Sequence, residues 1–291
     1  MTMTLRNPVP HAHETSVHIQ SGEYRLVGTM FQPALRPKAV IVINGATGVP
    51  ARFYASFARW LSEEQGYACL TYDYRDFGAS AGKSMRASKA IMSDWGVYDQ
   101  QAARDLAKRW FPDVPLWVIG HSLGGLCFPF QSRLTDIDRV ITIGAGMVNV
   151  RDHPLRYQPT ARLFWYGLGP LATWLAGYLP GKSLRMGEDI PSGVYWQWRQ
   201  WCTRPEFFAR DFGARLPFPD WTGLKADITY IAMADDDLVP PAAVWRLMQC
   251  NAGARSFQRV LRPGDFGLSK LGHITPFASR NKAAWPAIIA P

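Results

Sequence analysis

Val118-Ile119-Gly120-His121-Ser122-Leu123-Gly124-Gly125 is an apolar strand that runs straight into Gly-x-Ser-x-Gly and then into a helical pattern. Gly120 and Gly124 flank a turn sharp enough to force its middle residue into a strained backbone conformation, where bulkier neighbours would collide. Ser122 then projects its hydroxyl above the end of the sheet. Context carries the motif: Asp113 and Pro115 punctuate the start of the strand, Pro115 to Ile119 is apolar and β-rich, and Leu123 to Leu134 reads as a helix.

A serine mounted in this way needs a base and an acid, and such sites place nucleophile, acid and histidine in that chain order. The strand pattern Asp227 to Met233 ends in Ala234-Asp235-Asp236-Asp237-Leu238-Val239-Pro240, which offers three carboxylates. Asp236, four residues before Pro240, is the choice, with Asp235 and Asp237 left as competitors. The base is sought near the C-terminus, where His273 stands in Leu271-Gly272-His273-Ile274-Thr275-Pro276-Phe277 and fits better than the other five histidines. In this scheme Ser122 attacks an acyl carbonyl, His273 takes and returns the proton, and Asp236 holds the imidazole tautomer. His121 is expected to point away from the hydroxyl and serve packing or hydrogen bonding, and Arg52 and Lys270 are read as solvated surface charge.

Several further segments resemble the α/β-hydrolase fold, and more narrowly a group of predicted α/β-hydrolases with Asn-Gly-Ala-Thr-Gly-Val after the third strand. They are Asn44-Gly45-Ala46-Thr47-Gly48-Val49-Pro50 with Arg52-Phe53-Tyr54, Tyr72-Asp73-Tyr74-Arg75-Asp76-Phe77-Gly78-Ala79-Ser80, Gly120 to Gly125, Leu179-Pro180-Gly181-Lys182, Trp198-Arg199-Gln200-Trp201-Cys202 and Gly272-His273. The likeness covers nearly the whole chain after about residue 15. It implies a mostly parallel central sheet flanked by helices and a hydrolase whose substrate is left open. It also implies an oxyanion hole made of the Leu123 backbone N–H and, from the loop where Asn44-Gly45-Ala46 replaces the commoner His-Gly-x, the N–H of Ala46. One departure stands out: Asp76 occupies the place where the group and its wider relatives read glycine, which puts the local turn in question.

The rest of the chain fits one large α/β domain. Thr15 to Ile19 and Tyr24 to Phe31 alternate as a hairpin around Ser21-Gly22-Glu23, and Ala39 to Ile43 is a β-branched run suited to a central parallel strand. Helical spacing of Phe53, Phe57, Trp60 and Leu61 stops at Gln65-Gly66; Tyr67 to Tyr74 is the next strand, Val97 to Trp110 the next helix, and Arg139 to Ala145 the sixth strand. Ser279 to Ile289 reads as a closing helix that Trp285-Pro286 bends or ends. Regular alternation fails from about Asn149 to Trp221, far more chain than a connection needs. Residues 149–221 are therefore expected to form a helical, Trp-rich cap between core segments 1–148 and 222–291. Of the aromatics Trp165, Tyr166, Trp174, Trp196, Trp198 and Trp201, the choice for a substrate wall is Trp165, Trp198 and Trp201.

With 291 residues, 47% of them hydrophobic, the chain can bury one sizeable core. Its net charge of +9 is dispersed, with no block of five or six like charges, so no nucleic-acid partner is expected. Cys69, Cys127, Cys202 and Cys250 show no Cys-x-x-Cys pairing, which argues against a zinc site or a disulfide framework and for core thiols, Cys127 packing under the elbow. No apolar run reaches the length of a membrane span, and Met1 to Glu14 lacks the apolar core of a secretory signal, so a cytoplasmic protein is expected. The sum is an enzyme without metal or cofactor, a serine esterase acting on a small-molecule acyl substrate. An acyltransferase using the same acyl-enzyme, or a non-catalytic ligand receptor on this fold, is the alternative.

Overall fold

The computed structural model describes residues 12–82, 84–251 and 253–291. Most of the Met1 to Glu14 segment on which the leader expectation rests lies outside the described residues.

Eight strands form one sheet in the order β1-β2-β4-β3-β5-β6-β9-β10. β1 (His13–Ser21) and β2 (Tyr24–Gln32) pair antiparallel in the register Val17 to Gly28, and β2 is antiparallel to β4 (Ala68–Tyr72). From β4 onward β3 (Val40–Asn44), β5 (Leu116–His121), β6 (Arg139–Ile143), β9 (Asp227–Met233) and β10 (Ser256–Leu261) are all parallel. Every residue of β3 is buried, as a β-branched run covered on both faces must be. One face packs on α1 (Ala55–Glu63) and α7 (Trp285–Ile289) through Phe57, Trp60, Phe277 and Trp285; the other packs on α2 (Gln100–Trp110) and the segments around Trp95, Phe130 and Trp201.

Strand order decides where a ligand can sit. The chain moves outward from β3 to β4, then crosses back to β5 on the other side, and the carboxyl ends of β3 and β5 lie side by side with Asn44 opposite Gly120. A crevice at such a reversal is where open parallel sheets bind ligands.

Between β6 and β9 the chain leaves the sheet for α3 (Gln158–Leu163), a π turn (Phe164–Leu168), α4 (Gly169–Ala176), the short antiparallel pair β7 (Tyr178–Leu179) and β8 (Ile190–Pro191), and α5 (Ser192–Thr203). α6 (Pro241–Cys250) then precedes β10, and neither of these two elements was expected from the sequence. β10 is an edge strand with only Leu261 buried, so it lacks the alternation that marks a half-buried strand.

Two other expectations need correction. Leu123 to Leu134 is not a helix: a 3₁₀ turn covers Ser122–Gly125, and two more cover Phe128–Phe130 and Leu134–Asp136. Pro129 has no N–H for the Gly125 carbonyl and its ring would strike that oxygen, while two adjacent glycines weaken any helix begun at the elbow. The closing segment is not bent at Trp285-Pro286 either. It departs from helical geometry at Asn281 (φ −104°, ψ 18°), and Pro286 sits in the first turn of α7, where its missing N–H costs nothing. Asp76 adopts φ +55°, the left-handed conformation for which glycine is the usual choice, and its Oδ2 accepts a 2.6 Å hydrogen bond from the Ser88 hydroxyl. A short polar side chain tolerates that conformation, which is how the turn survives the substitution.

Candidate active site

Ser122 has φ +53°, an uncommon state for a residue with a Cβ. The elbow is held there by close approach of backbone on both sides. A Cβ at Gly120 would lie 2.4 Å from the Gly124 carbonyl oxygen, and one at Gly124 would lie 2.1 Å from that of Asn44. The two glycines are thus required by space, and the strain they permit lifts the serine clear of β5.

His273 comes from the loop after β10, 151 residues further along the chain, and its Nε2 accepts from the Ser122 hydroxyl across 3.0 Å. Its Nδ1–H donates to Asp236 Oδ2 at 2.7 Å. Asp236 is buried, and its other oxygen accepts from the backbone N–H groups of Leu238 (2.8 Å) and Val239 (2.9 Å), so all its negative charge is met by donors.

The neighbouring carboxylates have different work. Asp235 accepts from Leu271 N–H (2.9 Å) and Gly272 N–H (3.0 Å), pinning the loop that carries His273. Asp237 pairs at the surface with Arg156 (2.6 Å), and its carbonyl accepts from His153 Nδ1–H (3.0 Å). Only tertiary contacts separate three consecutive identical residues.

His121 points away from the Ser122 hydroxyl into a buried chain of hydrogen bonds. Its Nε2–H donates to the His273 carbonyl (2.9 Å), which leaves Nδ1 as acceptor for the Tyr54 hydroxyl (2.8 Å). The Tyr54 oxygen in turn accepts the Ala46 N–H (2.9 Å). Complete burial, reinforced by the neighbouring His273, pushes His121 down to about 3, so the ring is neutral and its tautomer is fixed by these partners.

That chain also engages the backbone of Ala46. The residue is 1% exposed and its N–H is spent on the hydroxyl of Tyr54, eight residues further on, so it does not face the cavity unpartnered. Thr47, the next residue, is the one that lines the cavity beside Ser122 and Leu123. The Leu123 N–H opens the 3₁₀ turn, where a helix start leaves donors without an internal carbonyl. Asn44 is fully buried: its Oδ1 accepts from the Tyr72 hydroxyl (2.8 Å) and its Nδ2 donates to the Gly124 carbonyl (3.4 Å). Neither Tyr54 nor His153 was singled out from the sequence. Tyr54 carried a signal in its place within the Arg52-Phe53-Tyr54 segment; His153 carried none.

Above Ser122 is a cavity of about 350 Å³, within the range of small-molecule sites. Trp165, Trp198 and Trp201 line it, as do Met92, Phe207 and His153. Trp201 is fully buried and its indole N–H donates to Asp211 (2.7 Å). Trp174, Trp196 and Tyr166 are exposed and take no part in the wall. Arg52, itself exposed, pairs with the buried Glu188. Cys127 is buried against Gly96 beneath the elbow turn, and Cys69 and Cys202 are core thiols, while Cys250 is only partly buried. Among the described residues no helix is long and apolar enough to cross a membrane.

A family model described as "Alpha/beta hydrolase family" matches residues 40–285. Monoglyceride lipase of Mus musculus is 30% identical over 108 residues, which are 36% of this chain and 33% of that protein, so the match spans about a third of the mouse enzyme. Among solved structures, an esterase of Pyrococcus furiosus superposes with TM-score 0.61 at 15% identity, covering 99% of this chain and 92% of that one. A carboxyl esterase of Bacillus coagulans gives 0.53 at 15% identity (87% and 90% covered), and the thioesterase domain of the curacin biosynthetic pathway 0.56 at 14% (96% and 100%). At these identities the likeness concerns the fold.

Proposed function

The chain belongs to the alpha/beta hydrolase family, and on that premise we propose that it is a serine hydrolase cleaving ester-like acyl substrates through Ser122, His273 and Asp236. The observation that carries this reading is the unbroken line of hydrogen bonds from the Ser122 hydroxyl through both nitrogens of His273 to the buried Asp236, at the floor of an apolar cavity. Esterases among the structural neighbours and a monoglyceride lipase among the relatives agree with it.

Ser122 Oγ attacks the acyl carbonyl as its proton passes to His273 Nε2, and Asp236 balances the imidazolium through Nδ1–H. The C–O bond breaks as His273 returns the proton to the leaving alcohol, and water then repeats the cycle to free the acid. The Leu123 N–H receives the oxyanion, with a second donor drawn from the turn at Thr47; one such donor is worth about 3 to 4 kcal/mol of transition-state stabilisation. Residues 149–221 act as a cap, with Trp165, Trp198 and Trp201 walling the acyl group. Water is the only co-substrate, and no metal or cofactor enters the balance.

A fluorophosphonate probe tests the nucleophile: wild-type protein is labelled and Ser122→Ala is not, whereas a folded wild type that stays unlabelled would refute the proposal. A series of p-nitrophenyl esters of increasing chain length sizes the acyl pocket, with turnover expected to peak at short to medium chains.

A further inference from the structure

The helical run 158–176 wears its apolar side outward. α3, the π turn and α4 carry Leu163, Tyr166, Leu171, Trp174 and Leu175, exposed by 63%, 55%, 56%, 75% and 66%, and Leu155 just before them is 84% exposed. An ordinary surface helix turns such residues to the core, but here Ala161, Trp165, Gly169 and Thr173 occupy the inward positions. Single exposed leucines need no explanation; a contiguous face of large apolar side chains marks a contact surface.

Charge defines the partner. From His153 to Gly187 the sequence contains no aspartate or glutamate, while Arg156, Arg162, Lys182 and Arg185 lie within it. Arg156 and Lys182 have acidic partners; Arg162 and Arg185 have none among the described residues. Arg199 rests over the Tyr166 ring at 5.5 Å, and the side chain of Arg86 covers Gly177 at the end of α4. The face is thus apolar at its centre and cationic at its rim, on a chain of net charge +9.

We infer that this face docks on an anionic lipid bilayer. Leu163, Leu171 and Leu175 enter the boundary of the acyl chains, Tyr166 and Trp174 sit at headgroup level where amphipathic rings are favoured, and Arg162 and Arg185 meet lipid phosphates. A second copy fits less well, because two-fold pairing would press the same cations together with no acid in the stretch to meet them. The run also supplies Leu163, Phe164 and Leu168 to the cavity wall, so docking brings the cavity against the lipid phase. The contact does not depend on the chemistry assigned to Ser122, and its test reads binding, not turnover.

Flotation of the full chain with vesicles decides it, comparing pure phosphatidylcholine with a phosphatidylcholine–phosphatidylglycerol mixture. Wild-type protein is expected to float with the anionic vesicles, weakly with the neutral ones, and less as salt is raised. The combined variant L171S, W174S and L175S alters exposed side chains that do not line the cavity, and should lose binding by at least about tenfold while keeping its circular dichroism and its labelling by the fluorophosphonate. R162E with R185E should lose binding to anionic vesicles alone. Absence of wild-type flotation, or flotation indifferent to these substitutions, overturns the inference. So does a dimer in sedimentation that the triple variant splits, which would give the face to a second copy.

Discussion

The Tyr54 hydroxyl donates to His121 Nδ1 across 2.8 Å, both side chains being buried, and this one contact ties together three loops that meet at the candidate site. Through Tyr54 it reaches the backbone of Ala46 after β3, through the ring of His121 it reaches the backbone of His273, and His121 itself precedes Ser122 on the elbow. A fully satisfied buried relay of this kind rigidifies what it joins, and a broken one leaves costly orphans.

Tyr54→Phe removes the hydroxyl with little change of volume, leaving the Ala46 N–H and His121 Nδ1 unpartnered. Folding stability should fall by about 1 to 3 kcal/mol, measured as a shift in urea midpoint at unchanged slope.

Acid should destabilise the protein through His121. Its folded-state value of about 3 lies below the ordinary 6.5, so between those limits the unfolded chain holds a proton that the folded chain refuses. The contribution of the neutral ring is therefore complete above the upper limit and lost as pH falls toward the lower one. In His121→Gln that part of the pH dependence should vanish, so denaturation midpoints of wild type and variant should converge as the pH is lowered through this window.

The three consecutive aspartates should separate cleanly as asparagines in ester turnover. Asp236→Asn should lower kcat by about 10⁴-fold, because the imidazole loses the acceptor that fixes its tautomer. Asp235→Asn should cost about 1 to 2 kcal/mol of stability with a smaller fall in kcat, since it loosens the loop of His273. Asp237→Asn breaks one exposed ion pair and should leave both nearly unchanged. A collapse of Asp237→Asn with Asp236→Asn still active would reverse the assignment.

Strain at the elbow has its own signature. Ser122→Gly relieves a left-handed conformation and should raise thermal stability by about 1 kcal/mol, whereas Ser122→Ala keeps the Cβ and should not. Both should be refractory to the fluorophosphonate probe, so the difference in Tm isolates the backbone term.

Trp198→Ala enlarges the cavity at a partly exposed wall residue and should shift the preferred p-nitrophenyl ester toward longer acyl chains. Trp201→Ala, by contrast, removes a fully buried indole bonded to Asp211 and should cost about 3 to 5 kcal/mol of stability.

Much of this architecture was legible in the residues because its causes are local. A β-branched run such as Val40–Ile43 has few alternatives to a buried parallel strand, and glycines two positions either side of Ser122 leave little but a sharp turn. The helix expected over Leu123 to Leu134 does not form, because Pro129 lacks the N–H that such a helix needs four residues after Gly125. β10 escaped because an edge strand with one buried residue has no pattern to detect. Asp76 departed from the motif yet kept the turn, since a small polar side chain tolerates the backbone angle that glycine usually supplies.

By itself the sequence determined the strand, the elbow and the order in which serine, acid and histidine follow one another, all of which are governed by sterics and burial over a few neighbouring residues. Tertiary structure alone decided that Asp236 meets the imidazole while Asp235 holds a loop and Asp237 faces solvent, that the Ala46 N–H is taken by Tyr54, and that Trp174 lies outside while Trp201 lies within. The physical reason is range: a hydrogen bond or a burial state depends on which group arrives from a distant part of the chain, and the stretch across the 151-position separation of Ser122 and His273 carries no local mark of their meeting.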